Sequence, residues 1–264
     1  MIALFNIIIA TMRLVLPSNS STKYFPNNTL SEYKVKLPQR LDLSKGKWEV
    51  GLEEISFCKS WCNLKDASIS YYKTGQLIKK IDFADGYFDT PNALIKYLNK
   101  TAEEKYAKHF QFYYDETTRK CSVVTRFYRY YDVVMSQSLI NIIGELPEDS
   151  ERKTVDGITF NIYSIKTTLR LEPIFSIMVY CDIASENVVG DIESPLLRAV
   201  AVDKAYWKMQ STNFTRVQYI PVSKKQIESI SIYIYTDYGD KVPFEDGRVI
   251  CTLDLRRVAS SYDY

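Results

Sequence analysis

The chain has one histidine, nine glycines and nine prolines in 264 residues, and no long run of either charge. Each scarcity excludes something. With only His109, a Ser-His or Cys-His couple is conceivable, but "AKHFQF" lacks the strained turn that exposes a nucleophile. His109 is therefore read as a loop or structural residue. The few glycines form no phosphate-cradling motif. Cys58 and Cys62 have no second ligand pair near them in sequence, so no zinc site is drawn. Glu53–Glu54, Glu103–Glu104 and Asp237/Asp240 lack the pattern of a calcium loop, and no carboxylate pair is singled out for glycoside hydrolysis. The expectation is a protein that is not an enzyme and carries no cofactor.

Charge is nearly balanced, with Lys+Arg 34 against Asp+Glu 32. A nucleic-acid neutraliser needs clustered cations, and "SKGK" and "SKK" are too short to qualify, so both read as solvated loops and no specific nucleic acid is expected. The apolar run Ile2–Ala10 is broken by Asn6, lacks a basic flank and is too short to span a bilayer. Residues 1–11 are read as an extra strand or as an extension upstream of Met12. Sequons at Asn19, Asn27, Asn99 and Asn213 matter only on a secretory route. Five cysteines without framework spacing read as free thiols in a reducing compartment. On an extended strand, Cys58 and Cys62 would stand about 13 Å apart, too far for a disulfide.

What the chain has in quantity is tyrosine, 21 residues, in a sequence that is 46% hydrophobic. Tyrosine with Val, Ile and Thr favours strands and half-buried or contact surfaces. Tyr33, Val35 and Leu37 alternate with Lys34 and Lys36 up to Pro38, which is expected to end the strand. In "WEVGLEEISF", Trp48, Val50 and Leu52 share one parity, whereas Ile55 and Phe57 take the other. The change at Glu53–Glu54 predicts a β-bulge. "SISYYKTGQLIKKIDF" predicts a hairpin about Thr74–Gly75, and Phe110–Tyr114 with Cys121–Phe127 predicts another.

"TPNALIKYLNKTAEEKYAK" predicts a helix with Thr90 as N-cap, Pro91 in the first turn and Leu94, Ile95, Leu98 and Ala102 as its apolar stripe. "SLINIIG" reads as a helical turn, and the polar stretch Glu145–Gly157 as a loop. Further on, Phe175, Ile177, Val179, Cys181 and Ile183 form one face, as do Ile230, Ile232 and Ile234, and then Cys251, Leu253 and Leu255. Neither β-rich end can close a sandwich alone. The fold class is therefore all-β dominated, one domain over residues 1–264 built as a Greek-key or jelly-roll sandwich. Its strands are expected at about 13–83 and 171–257, with a middle elaboration at about 84–170 holding one α-helix and a β-hairpin.

The segment "LPSNSSTKYFPNNTLSEYKVKLPQRLDLSKGKWEVGLEEISF" resembles the start of the minor capsid, or penton, proteins of Polinton/Maverick elements and related adintovirus-like viruses. The likeness continues, in order, through "GYFDTPNALIKYLNK", "FYYDETTRKCSVV", "MVYCDIASENVVGDIESPLLRAV" and "VQYIPVSKKQIESISIYIYTDYGDKVPFEDGRVICTLDLRR". It departs at Cys58, where proline is expected, and near Cys62, where an aromatic is expected. The resemblance implies a single jelly roll, forming homopentamers at icosahedral vertices beside a major double jelly-roll capsid protein. The chain would be made inside the host cell and reside in the virion. The alternative is a non-catalytic binding module on the same fold, lectin-like or a domesticated host copy. Candidate contact residues are the outward Tyr233 and Tyr235, the pair Tyr206 and Trp207, the run containing Tyr130 and Tyr131, and Arg198 of "SPLLR". Arg198 is expected to form an intersubunit ion pair or a surface salt bridge.

Overall fold

The structure is a computed structural model that describes residues 11–106, 110–126, 131–156, 158–172, 174–203 and 205–258. His109, Tyr130 and residues 1–10 lie outside that set. The chain divides into two compact units, Met1–Trp61 with Ile174–Tyr264, and Cys62–Pro173. The expected boundary at about 84 therefore moves to 61/62. The reason is packing: Ile69 and Ile81 of the first hairpin bury against Leu94, Phe112 and Leu139, a core separate from that of the chain ends.

The first unit contains β1 (Thr11–Pro17), β2 (Glu32–Asp42) and β3 (Lys47–Cys58) from the N-terminal side. Within the second unit follow β4 (Ser68–Lys73), β5 (Gln76–Asp82), α1 (Pro91–Tyr106), β6 (Phe110–Asp115), β7 (Lys120–Thr125), β8 (Tyr131–Met135), α2 (Gln137–Ile143), β9 (Glu151–Val155) and β10 (Ile158–Thr168). The first unit resumes with β11 (Ser176–Cys181), β12 (Asn187–Val189), β13 (Ile192–Ser194) and β14 (Leu196–Ala201). It ends with β15 (Met209–Asn213), β16 (Ile220–Pro221), β17 (Gln226–Thr236) and β18 (Ile250–Val258).

Two antiparallel sheets make the first unit. One runs β1-β18-β3-β15, with β16 also on β3; the other runs β14-β11-β17-β2. The chain crosses between the sheets from β1 to β2 to β3 to β11, from β14 to β15, and from β16 to β17 to β18, while β11 and β14 pair within one sheet. β18 lies between β1 and β3, so the chain ends interleave. This strand order is that of a jelly roll. The inward residues are those the alternation picks out: Tyr33, Val35, Leu37, Ile177, Val179, Cys181, Ile230, Ile232, Ile234, Cys251, Leu253 and Leu255 are all buried. Phe175 departs from its predicted face. It precedes β11, outside the pleat, and is 61% exposed.

The bulge falls where the parity predicts. Thr252 pairs with Glu54 and Leu253 with Leu52, which leaves Glu53 as the extra residue. Val50 and Leu52 before it and Ile55 and Phe57 after it all stay in the core. Both glutamates turn outward to Arg13 of β1, at 2.8 Å for Glu53 and 3.6 Å for Glu54. Pro38 interrupts β2 without ending it. Ser229 pairs with Lys36 and Ile227 with Leu41, so the ladder skips the residues around the proline and resumes. Because β2 is an edge strand, the missing N–H is tolerated.

In the second unit, β5-β4-β8 and β6-β7-β10-β9 form two small sheets. Thr74 and Gly75 both have positive φ, 49° and 78°, the requirement of a tight hairpin turn that matches strand twist. Thr90 Oγ1 accepts from the Ala93 N–H at 3.2 Å, and Leu94, Ile95, Leu98 and Ala102 are buried as the stripe predicts. Asn99 of α1 brackets β6, donating to the Phe112 carbonyl at 2.8 Å and accepting its N–H at 2.7 Å. The predicted loop Glu145–Gly157 instead contains β9, an edge strand with every residue exposed. Alternation cannot reveal a strand that has no buried face.

Candidate functional site

The outward face of the second jelly-roll sheet carries the tyrosines singled out above. Tyr180 and Tyr233 are direct cross-strand partners, and Tyr235 meets Tyr180 edge-on with ring centroids 5.9 Å apart. The Tyr235 hydroxyl donates to Glu32 Oε1 at 2.6 Å, and Lys241 Nζ approaches Glu32 Oε2 at 2.6 Å. The hydrogen bond from Lys241, followed by that from Tyr235, holds the Glu32 carboxyl below its usual range. The bond to Glu32, then burial, pushes Tyr235 up to about 12.

These shifts set a pH window. A depressed carboxyl stabilises the fold above its unfolded value of 4.5, and that contribution fades as pH falls through the folded value. A raised phenol stabilises below its unfolded value of 10.0, and its contribution is lost as pH rises from there to about 12. The stability margin of the native chain over Tyr235→Phe is expected to be flat between those limits and to shrink above 10. Denaturant midpoints of both proteins across pH check this; a margin that grows with alkalinity contradicts it.

Tyr206 and Trp207 stand together, with ring centroids 5.7 Å apart. Trp207 is 53% exposed and has φ 55°, while its N–H donates to the Lys59 carbonyl at 2.9 Å. A bulky residue in the left-handed region is uncommon and is held there by its surroundings. With Met209 equally exposed beside it, the pair forms a ledge suited to contact rather than to core.

Arg198 is committed within its own chain. The pairing of β11 with β14 is regular from Ser176–Ala201 to Val179–Arg198 and shifts only at Tyr180–Leu196, so Arg198 keeps the parity of the buried Val200 and lies opposite the buried Val179. Its guanidinium sits 3.8 Å from the Phe214 ring centroid, and Nη1 donates to the Arg216 carbonyl at 2.8 Å. It thus fastens the β14 edge of one sheet to the segment after β15 of the other, and among the described residues it forms no salt bridge within the chain. Tyr131 begins β8, opposite Lys73. Tyr130, as noted, lies outside the described residues.

Sequence reasoning missed a cluster on the outer face of the first sheet. Arg256 donates twice to Glu49, at 2.9 and 2.8 Å, and stacks 3.5 Å from the Tyr219 ring centroid. Tyr219 in turn donates to Asp254 at 2.6 Å. Glu49, Asp254 and Arg256 are legible as outward positions, but their link to Tyr219 depends on where the β15–β16 connection crosses the sheet.

Among the described residues, no group of three or more His, Cys, Asp or Glu is placed to hold a metal ion. None of the five cysteines is joined in a disulfide, and burial pushes Cys121 and Cys251 up to about 12. No described helix is long and apolar enough to cross a membrane.

No protein-family model matches the chain, and no curated protein matches it. Among solved structures it is similar to the selenomethionine-labelled mavirus penton protein, with TM-score 0.49, 11% identity, and 94% of this chain and 100% of that one covered. It is also similar to a chain of the Sputnik virophage particle solved by cryo-EM, with TM-score 0.41, 9% identity, and 94% and 98% coverage. The jelly-roll assignment stands on the strand order itself.

Proposed function

We propose that the chain is a structural capsid protein, a minor-capsid or penton subunit that assembles as a homopentamer at icosahedral vertices beside a double jelly-roll major capsid protein. The observation that carries this reading is the interleaved strand order, in which both ends of the chain close one sandwich. Its sequence counterpart is the ordered resemblance to Polinton/Maverick penton proteins, whose first segment and last two segments cover most of those strands. A jelly roll alone does not specify a function. What favours assembly is the distribution of aromatic groups, since Tyr180, Tyr233, Tyr235 and Trp207 lie on outer faces and edges rather than around a cavity. Such side chains supply contact area at low entropy cost. Identical subunits around a fivefold axis then make head-to-tail contacts that close.

Size-exclusion chromatography with light scattering tests the proposal, on the purified chain alone and mixed with a double jelly-roll capsid protein. The expected mass is five times the 30.7 kDa chain in at least one setting. A stable monomer in both overturns the reading, and a monomer with saturable glycan binding favours the binding module instead.

A further inference from the structure

The connection between β11 and β14 projects a two-stranded ribbon, β12–β13, that pairs with no third strand. Val189 pairs with Ile192 across the two-residue turn Gly190–Asp191, and Gly190 supplies the positive φ, 64°. A two-stranded hairpin is marginal on its own in water. This one also leaves apolar groups uncovered on both of its faces: Val188 is 76% exposed and Ile192 is 58% exposed. Its charges are all of one sign. Glu186, Asp191 and Glu193 are exposed and have no cationic partner among the described residues.

At the same end of the sandwich, towards β2, a second feature has the opposite character. The Leu43 N–H donates to the Lys225 carbonyl at 2.7 Å, and the Val222 N–H to the Trp48 carbonyl at 2.8 Å. These bonds bring the β2–β3 turn against the β16–β17 connection. Between them lies a cleft of about 220 Å³ with Leu43, Trp48 and Val222 among its lining residues and Lys47, Lys224 and Lys225 around them. "SKGK" and "SKK", each slight by itself, thus converge. Lys224 is engaged by Asp182 at 2.8 Å, whereas Lys47 and Lys225 have no acidic partner among the described residues.

We propose that the β12–β13 ribbon of one copy docks into the lysine-rimmed cleft of the next copy, its Val188 or Ile192 on the apolar floor and its acids against Lys47 and Lys225. The proposal rests on the assembly reading above and names the surfaces that would join the subunits. A second copy fits better than other occupants because one chain carries both halves of the complement, an acidic ribbon with exposed apolar groups and a basic cleft with an apolar lining. Within one chain the Pro221–Lys224 wall of the cleft lies against the segment that leads into the ribbon, with the Ser185 N–H donating to the Pro221 carbonyl at 2.8 Å and the Ser223 N–H to the Ile183 carbonyl at 2.9 Å. Ribbon and cleft are different surfaces, so a contact between them is head-to-tail, the kind that closes a ring of identical copies. Charge complementarity of this kind sets register and partner choice.

The test is charge exchange in the full chain, read by light scattering over a dilution series. Glu186→Lys/Asp191→Lys/Glu193→Lys is expected to raise the concentration at which the assembly half-dissociates at least tenfold, and Lys47→Glu/Lys225→Glu to do the same. Both sets combined in one chain are expected to restore it to within about threefold of the native value, with circular dichroism confirming that each variant folds. If the native chain forms pentamers and either single set leaves them unchanged, this inference fails and the assembly reading stands. Failure of the combined variant to recover, although folded, also overturns it. If the native chain assembles in neither setting, both fall. A cleft variant that loses retention of duplex DNA while assembling normally assigns the lysines to nucleic acid and overturns the docking.

Discussion

Replacing Phe57 by alanine is expected to cost about 3–5 kcal/mol, the range for emptying a buried aromatic site. Phe57 lies on β3 just past the bulge, fully buried, with Phe244 edge-on at 5.9 Å and Trp61 in turn edge-on to Phe244 at 5.5 Å. Removing the ring leaves a void that β3 cannot collapse, because β18 and β15 pair with it on both sides. It also removes one edge-to-face contact, worth about 0.5–1.5 kcal/mol beyond area. Against a typical domain stability of about 5–15 kcal/mol, the loss brings the sandwich near its threshold. Phe57→Leu retains most of the volume and is expected to lose less than half as much. Urea titration of both variants checks this, and a loss below about 1 kcal/mol for Phe57→Ala would place the core elsewhere.

Gly51→Val is expected to be the second severe change. A Cβ at Gly51 would stand 2.4 Å from Val217 Cγ1 and 2.5 Å from the Gln218 carbonyl oxygen. One obstacle is a stiff β-branched side chain and the other is backbone, so relief requires lifting the β15–β16 connection off the sheet. That displaces Tyr219, breaking its bond to Asp254 and its stacking under Arg256. Overpacking with one lost charge-assisted hydrogen bond amounts to about 2–4 kcal/mol. At about 2–4 °C per kcal/mol, the melting temperature should fall by roughly 5–15 °C. Gly51→Ala should show a smaller loss of the same kind. Calorimetry decides, and an unchanged transition in Gly51→Val would mean that the crossing segment does not press on β3.

The jelly roll was legible where one face of a strand is wet and the other dry. The parity change at Glu53–Glu54 located the bulge because two acids in succession cannot alternate, and an extra residue is the cheapest remedy that keeps Ile55 and Phe57 inside. Where that asymmetry is missing, the sequence is silent. β9 has no buried face, and Phe175 carries the parity of its neighbours although the strand starts after it. The insertion boundary was misplaced because Ile69 and Ile81 are core residues in pattern, and pattern does not say which core. The candidate contacts divide similarly. Tyr233 and Tyr235 follow from alternation, as does the parity of Arg198 with Val200, whereas the contact of Arg198 with Phe214 depends on where the segment after β15 passes. Both halves of the proposed docking pair were present in sequence, as "NVVGDIES" with its Gly-Asp turn signal and as two short lysine runs. Only the fold brings Lys47 and Lys225 to one cleft.

The central claim is that this sandwich works through its faces, by binding copies of itself. Negative-stain class averages of the assembled peak test it most directly. The account predicts closed rings of five subunits with one subunit volume per position. Monodisperse single particles, both alone and with a double jelly-roll partner, would contradict it, as would open filaments.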